Sequence, residues 1–128
     1  RGGWSRPARR GVRRSAQSPP RMKQIRILPE VWDDVDDAAA WYDEKGGREL
    51  GDRFLDAFRA QLVDIADLPR THRKVYKDFS RVFAKPFPYA IYFRTYQEWV
   101  VVTLLWHTAR NPEHLKTTLG ERDSGGAV

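Results

Sequence analysis

The sequence predicts an α+β fold of two layers, in which an antiparallel helical hairpin packs against an antiparallel sheet. Three observations support this prediction. Apolar residues recur at helical spacing over residues 29–67, the period changes to two after Thr71, and a short alternating segment precedes both regions. With 128 residues, of which 41% are hydrophobic, the chain is long enough for one domain with a real core.

The two predicted helices are separated by a pair of glycines. Pro29 suits the first position of a helix, and an apolar stripe that includes Val35 follows it. Gly46-Gly47 interrupts the pattern, and a second stripe then runs to Ile65 and ends before Pro69. Such a short break predicts a helical hairpin. The aromatic residues on the two stripes are expected in the core: Trp32, Trp41, Tyr42, Phe54 and Phe58.

Strands are predicted on both sides of the hairpin. Residues 22–28 alternate polar and apolar side chains, which predicts one N-terminal strand. After the hairpin, residues near 73–76 and 81–86 fit short strands, and the aromatic segment 89–96 fits a longer one. Residues 99–106 are apolar on both faces, as in a central strand. The C-terminal part therefore predicts a sheet of three to four antiparallel strands.

The chain also divides into a central domain and two tails. Residues 1–21 hold seven arginines and no acid, so we expect a disordered tail. This tail is either an arm that binds nucleic acid or anionic surfaces, or non-native or translated upstream sequence without a role. The second interpretation is favoured because Met22 stands where the ordered pattern begins. Residues 22–119 form the predicted domain, with a last helical turn over 113–119, and residues 120–128 are expected to be flexible.

Composition excludes several classes of protein. The absence of cysteine excludes disulfides, thiolate zinc sites and a cysteine nucleophile, and three scattered histidines predict no metal site. There is no phosphate-binding glycine loop, so no cofactor is expected. No apolar run approaches the roughly 20 residues of a membrane span, so we expect a soluble protein without a membrane partner. We also expect it in the cytoplasm.

Charge is distributed unevenly between the two predicted layers. Residues 29–67 carry twelve acids and four bases, a net charge of −8, whereas residues 70–128 carry ten bases and five acids, a net charge of +5. An anionic partner is therefore expected on the side of the sheet.

The order of the elements and four short motifs resemble the RelE/ParE superfamily of toxins from type II toxin–antitoxin systems. The motifs are Ala40-Trp41-Tyr42, Leu50-Gly51, Phe87-Pro88-Tyr89 and the segment from His107-Thr108-Ala109-Arg110 to Asn111-Pro112. The third and fourth motifs resemble the ParE-like branch more than the RelE-like branch. The resemblance implies a growth-inhibiting toxin, neutralised by a cognate antitoxin in a hetero-oligomer. ParE-like members act on DNA gyrase and serve plasmid stabilisation, whereas RelE-like members cleave messenger RNA on the ribosome.

The residues themselves bear on the choice between these two activities. Cleavage of RNA through the 2′-hydroxyl needs a base, an acid and cations around the phosphate. By its resemblance to RelE-like nucleases, the chain keeps cations at Lys85 and Arg110. It has Lys116 and Pro112 where nuclease members carry Tyr and His. We therefore predict a ParE-like toxin that binds gyrase and has no catalytic residue.

Four cations are the predicted contacts with the target: Lys85, Arg94, Arg110 and Lys116. Two alternatives stay open: a RelE-like ribosome-dependent endoribonuclease that uses Arg110, Lys85 and His107, and an inactive binding module of the same fold. The antitoxin is expected in a groove between the helical hairpin and the basic edge of the sheet.

Each singled-out residue also has a plain structural interpretation. His107 ends an apolar strand, so it is either a hydrogen-bonded histidine at the rim of the core or an acid–base group. Arg110 either contacts the target or forms a salt bridge with a helix acid such as Asp33 or Glu113. Arg122, like Lys116, is expected to be solvated.

Overall fold

A five-stranded mixed sheet forms the central layer of the protein. The computed structural model describes residues 23–67 and 72–125, so the predicted tail over residues 1–21 lies outside the described residues. The strands are β1 (Gln24–Ile27), β2 (Lys74–Tyr76), β3 (Phe79–Phe83), β4 (Tyr89–Thr95) and β5 (Trp99–His107). Their spatial order is β1-β5-β4-β3-β2, and all neighbours are antiparallel except β1, which runs parallel to β5.

The predicted helical hairpin covers one face of this sheet. Its helices are α1 (Pro29–Gly46) and α2 (Arg48–Asp67), joined at Gly47, whose φ of 85° favours glycine. The helices cross closely at Gly51, where a Cβ atom would lie 2.9 Å from the carbonyl oxygen of Ala39. The α+β fold predicted from the sequence is confirmed, and the N-terminal strand joins the same sheet as the others.

The main core lies between the hairpin and the sheet. Phe54 and Phe58 of α2 are buried against sheet residues such as Ile91 and Phe93. The prediction that Trp41 lies in this core is wrong, because 52% of its surface is exposed. The buried stripe of α1 passes through Val35, Ala38 and Tyr42, and Trp41 lies beside it.

A third helix covers part of the opposite face of the sheet. Helix α3 (Pro112–Gly125) packs Leu119 and Leu115 against a second, smaller cluster that contains Leu104 and Trp106. The sequence predicts only a short turn over 113–119 and a flexible tail from residue 120, but α3 continues to Gly125. The few apolar residues of α3 give no helical stripe, which is why its length was underestimated.

Two ion pairs fix the end of α3. Arg122, expected to be solvated, instead donates two hydrogen bonds to the Asp34 carboxylate of α1, at 2.7 and 3.1 Å. It donates a third to the carbonyl oxygen of Thr103 at 3.1 Å. The next residue, Asp123, accepts hydrogen bonds from Arg94 of β4 at 2.9 and 3.1 Å. Arg122 and Asp123 thus attach the end of α3 to the helical hairpin and to the sheet, respectively. Within the described segments, no helix is long and apolar enough to span a membrane.

Candidate functional site

One end of the sheet gathers residues from two of the recognised motifs. Tyr89 begins β4 and His107 ends β5, so they pair in register and their rings lie 5.0 Å apart. The backbone N–H of Thr108 donates to the Pro88 carbonyl oxygen at 2.9 Å, which ties the segment after β5 to the loop before β4. Lys85 lies exposed in that same loop. The structure therefore brings the Phe-Pro-Tyr and His-x-x-Arg motifs together at one end of the molecule.

Arg110 presents an unpaired charge at this end. Its guanidinium lies 4.0 Å from the centre of the Trp106 ring, and its side chain is exposed. Within residues 23–67 and 72–125 it forms no ion pair, so the expected alternatives of a salt bridge to Asp33 or Glu113 are not observed. Stacking on an aromatic face holds a guanidinium in place while leaving its N–H groups available.

The protonation of His107 follows from its backbone contact. Its Nδ1 atom accepts a hydrogen bond from the Ala109 N–H at 3.0 Å. Because one ring nitrogen of neutral imidazole is a donor when the other is an acceptor, Nε2 carries the proton. In this arrangement His107 can donate a hydrogen bond through Nε2 but cannot accept one there.

Two tyrosine hydroxyls complete this end of the molecule. The rings of Tyr42 and Tyr89 lie 6.3 Å apart, with Tyr42 92% buried, since only 8% of its surface is exposed. Burial raises the pKa of Tyr42. Burial also raises the pKa of Tyr89, with a further rise from Tyr42 and an opposing effect from the positive charge of Arg110. We call the end formed by Tyr42, Tyr89, His107 and Arg110 the tyrosine pole.

The other two predicted contact residues lie elsewhere. Arg94 is 25% exposed near the opposite end of β4 and is held by Asp123 and by Asp78, at 3.3 Å. Burial lowers the pKa of Arg94, but its hydrogen bond to Asp123 and the nearby acidic groups outweigh that effect and raise it. Lys116 of α3 lies 5.7 Å from the Tyr76 ring of β2. The four predicted cations therefore do not form one surface: Lys85 and Arg110 share an end, and the other two do not.

Sequence reasoning missed the hydroxyls of the tyrosine pole. Tyr42 lies on an apolar helical stripe, which indicates a core ring and says nothing about its hydroxyl. Tyr42 and Tyr89 belong to the Ala-Trp-Tyr and Phe-Pro-Tyr motifs, which are the sequence signals that single out these two residues. In the described part of the chain, no group of three histidines or acids lies close enough to hold a metal ion.

A buried polar atom lies beneath Arg110. The indole ring of Trp106 is 4% exposed, and its Nε1–H has no acceptor among the described residues. A buried donor without an acceptor costs about 1–3 kcal/mol.

The similarity to known proteins covers most of the chain. Residues 25–112 match the family described as the ParE toxin of the type II toxin–antitoxin system parDE. A solved structure of the chromosomal ParDE toxin–antitoxin system from P. aeruginosa has a TM-score of 0.62 at 11% identity, over 69% of this chain and 98% of that chain. No curated protein matches the sequence. Since the family match spans more than half of the chain, from β1 to the start of α3, the chain belongs to the ParE toxin family of type II toxin–antitoxin systems.

Proposed function

We propose that this toxin arrests growth in the cytoplasm by binding DNA gyrase, without chemistry of its own, and that a cognate antitoxin neutralises it. The observation that carries the proposal is the ParE family match, which includes both motifs of the tyrosine pole. The similar structure from P. aeruginosa is of a ParDE system, which supports an antitoxin as partner.

The contacts of Arg110 support a role in binding. The guanidinium is exposed, oriented by Trp106 and free of any carboxylate in the described residues. Lys85 adds a second exposed cation at the same end. We propose these two as the contacts with the target, whereas Arg94 already has two carboxylate partners and serves chiefly to hold α3.

His107 supports binding over RNA cleavage. A general base needs a free lone pair within reach of the hydroxyl it deprotonates. The Nδ1 lone pair of His107 is used by the Ala109 N–H, and Nε2 carries the proton. In this arrangement His107 itself does not offer a lone pair for that step, which supports binding over cleavage.

Controlled expression of the full chain without an antitoxin tests the proposal. We expect growth arrest with DNA breaks and filamentation while protein synthesis initially continues. Arg110→Ala should relieve the arrest, because it removes the unpaired guanidinium. Arg59→Ala is the matched control, since Arg59 lies on α2 and pairs only with Asp56 in the described residues.

Three outcomes would contradict the proposal. An immediate stop in protein synthesis with intact chromosomes would favour the endoribonuclease. Unhindered growth with folded protein would favour an inactive binding module. Full potency of Arg110→Ala, with the variant folded by circular dichroism, would remove Arg110 from the contact surface.

A further inference from the structure

Two arginines on the side of the sheet that α3 partly covers share one arrangement. The guanidinium carbon of Arg81, in β3, lies 5.0 Å from the centre of the Phe83 ring, and that of Arg110 lies 4.0 Å from the centre of the Trp106 ring. Both arginine side chains are exposed, and neither forms an ion pair within residues 23–67 and 72–125. Each guanidinium is therefore held by a ring while its charge remains available to a partner.

The register of the strands places the two rings in one row across the sheet. Phe83 pairs with Ala90, and Ala90 pairs with Trp106. Since neighbouring strands are about 4.8 Å apart, the backbones of Phe83 and Trp106 are about 10 Å apart. Phe79 packs with Trp106 in the cluster beneath α3, and side chains alternate along β3, so Phe83 lies on that same face. We call the four side chains the arginine row: Arg81, Phe83, Trp106 and Arg110.

A hydroxyl and an exposed ring add to the arginine row. Tyr92 lies opposite Arg81 in the register, and its hydroxyl oxygen accepts a hydrogen bond from Nη1 of Arg81 at 3.4 Å. The other N–H groups of that guanidinium remain available. Phe83 is 38% exposed, so it offers apolar surface directly beside the charge of Arg81. Two fixed cations with an exposed ring are complementary to a protein segment that carries carboxylates and an apolar side chain.

We propose that the arginine row binds an acidic segment of DNA gyrase. Two carboxylates of that segment pair with Arg81 and Arg110, and an apolar side chain of the segment covers Phe83. Arg81 is then a third contact residue, in addition to Arg110 and Lys85. The inference deepens the proposed function and rests on it for the identity of the target.

The pattern of charge on this face favours carboxylates of a protein over the phosphates of DNA. Duplex DNA carries one negative charge for about every 1.7 Å of its axis, and it is bound best by a continuous run of cations. The two cations of the arginine row are instead separated by apolar side chains. Glu113, at the start of α3, is exposed only three residues after Arg110 and would repel a phosphate backbone.

A titration of the full chain with three simple probes tests the chemistry of the arginine row. Nonanedioate carries two carboxylates on an apolar chain that spans the distance of about 10 Å between the two strands. Nonanoate has the same chain with one carboxylate, and tetrathymidylate supplies phosphodiesters. The reporters are the Nε–H signals of Arg81 and Arg110 in NMR at constant ionic strength. We expect saturable shifts of both signals with nonanedioate, and about tenfold weaker binding of nonanoate.

Variants separate the arginine row from general charge effects. Arg81→Gln and Arg110→Gln should each weaken nonanedioate binding by about tenfold, to the level of nonanoate, because each removes one of two cations. Arg26→Gln is the matched control, since Arg26 is also exposed over an aromatic ring, 4.2 Å from the centre of Trp99, but at the opposite end of β5. It should bind nonanedioate as the unaltered chain does.

The same variants in a binding assay with purified gyrase, without DNA, connect the arginine row to the target. We expect Arg81→Gln to weaken gyrase binding by about tenfold and Arg26→Gln to leave it unchanged. Failure of the unaltered chain to bind gyrase, with nonanedioate bound by both arginines, would contradict the proposed function and leave the carboxylate chemistry standing. Unchanged gyrase binding by Arg81→Gln, with weaker binding by Arg110→Gln, would contradict this inference alone.

Several results of the titration would also overturn the inference. These are equal binding of nonanedioate and nonanoate, shifts that leave out Arg81, the absence of any shift, and tetrathymidylate binding more than tenfold tighter than nonanedioate. Shifts of the two reporters that depend on protein concentration without any probe would assign the arginine row to a second copy of the chain instead.

Discussion

Asp34 receives more hydrogen bonds than any other side chain described above. Its carboxylate accepts two from Arg122 and one from the backbone N–H of Leu105, at 3.2 Å. Arg122 is 17% exposed and Asp34 is 20% exposed, so the pair is screened little by water. This one carboxylate joins α1, β5 and α3.

Removal of one partner from this pair should destabilise the protein strongly. We expect Arg122→Met to lower the free energy of unfolding by about 3 kcal/mol, because it leaves a partly buried carboxylate without its cation. Urea denaturation measures the change. Arg59→Met removes an exposed partner of Asp56 and should cost no more than about 0.5 kcal/mol. Equal costs for the two variants would contradict the role of the Asp34–Arg122 pair.

Tyr42 should make the protein less stable in alkaline solution. Burial raises the pKa of its hydroxyl in the folded state, whereas the unfolded chain ionises near pH 10. Above about pH 10 the unfolded state therefore binds fewer protons, and stability falls as pH rises through the folded pKa. Urea denaturation between about pH 8 and pH 11 should show a shallower fall for Tyr42→Phe than for the unaltered chain. Identical slopes would show that this hydroxyl is not shielded from water.

At the scale of elements, the close crossing of α1 and α2 depends on the absence of a side chain at Gly51. A Cβ atom there would contact the Asp43 carboxylate and lie 2.9 Å from the Ala39 carbonyl oxygen. The backbone oxygen cannot move away without moving the helix. The Leu50-Gly51 motif therefore marks where the hairpin closes.

Two glycine-to-alanine changes should have opposite effects. Gly51→Ala should lower the free energy of unfolding by about 1–3 kcal/mol, because it forces the helices apart. Gly120→Ala should raise it by up to about 1 kcal/mol, because Gly120 lies within α3 and no described atom outside the adjacent backbone of its own helix is within 4 Å of the added Cβ. Thermal unfolding of both variants measures the contrast. A neutral Gly51→Ala would contradict the close crossing.

At the scale of the whole molecule, local patterns predict the elements better than the contacts between them. Pro29, the glycine pair and the change of period predict the hairpin and the strands correctly. The parallel pairing of β1 with β5 and the Asp34–Arg122 pair join residues more than 70 positions apart, so no local pattern indicates them. The length of α3 is underestimated for a different reason, because its few apolar residues give no helical stripe.

Of the four cations that the sequence indicates, two lie together in the structure. Arg110 and Lys85 were identified through the resemblance, and the structure places them at one end of the sheet. Arg94 was equally prominent as a basic residue, but its two carboxylate partners come from distant parts of the chain. The sequence does not indicate where the two tyrosine hydroxyls lie, because the pattern of a buried aromatic ring carries no information about its polar end.

The central claim is that this toxin acts by binding gyrase, with Arg110 in the contact. The most direct measurement is a supercoiling assay with purified gyrase, plasmid DNA and the full chain, followed by detergent and protease treatment. We predict loss of supercoiling and accumulation of linear plasmid, both reduced by Arg110→Ala and unchanged by Arg59→Ala. Unimpaired supercoiling, together with cleavage of messenger RNA in a translation extract, would contradict the claim.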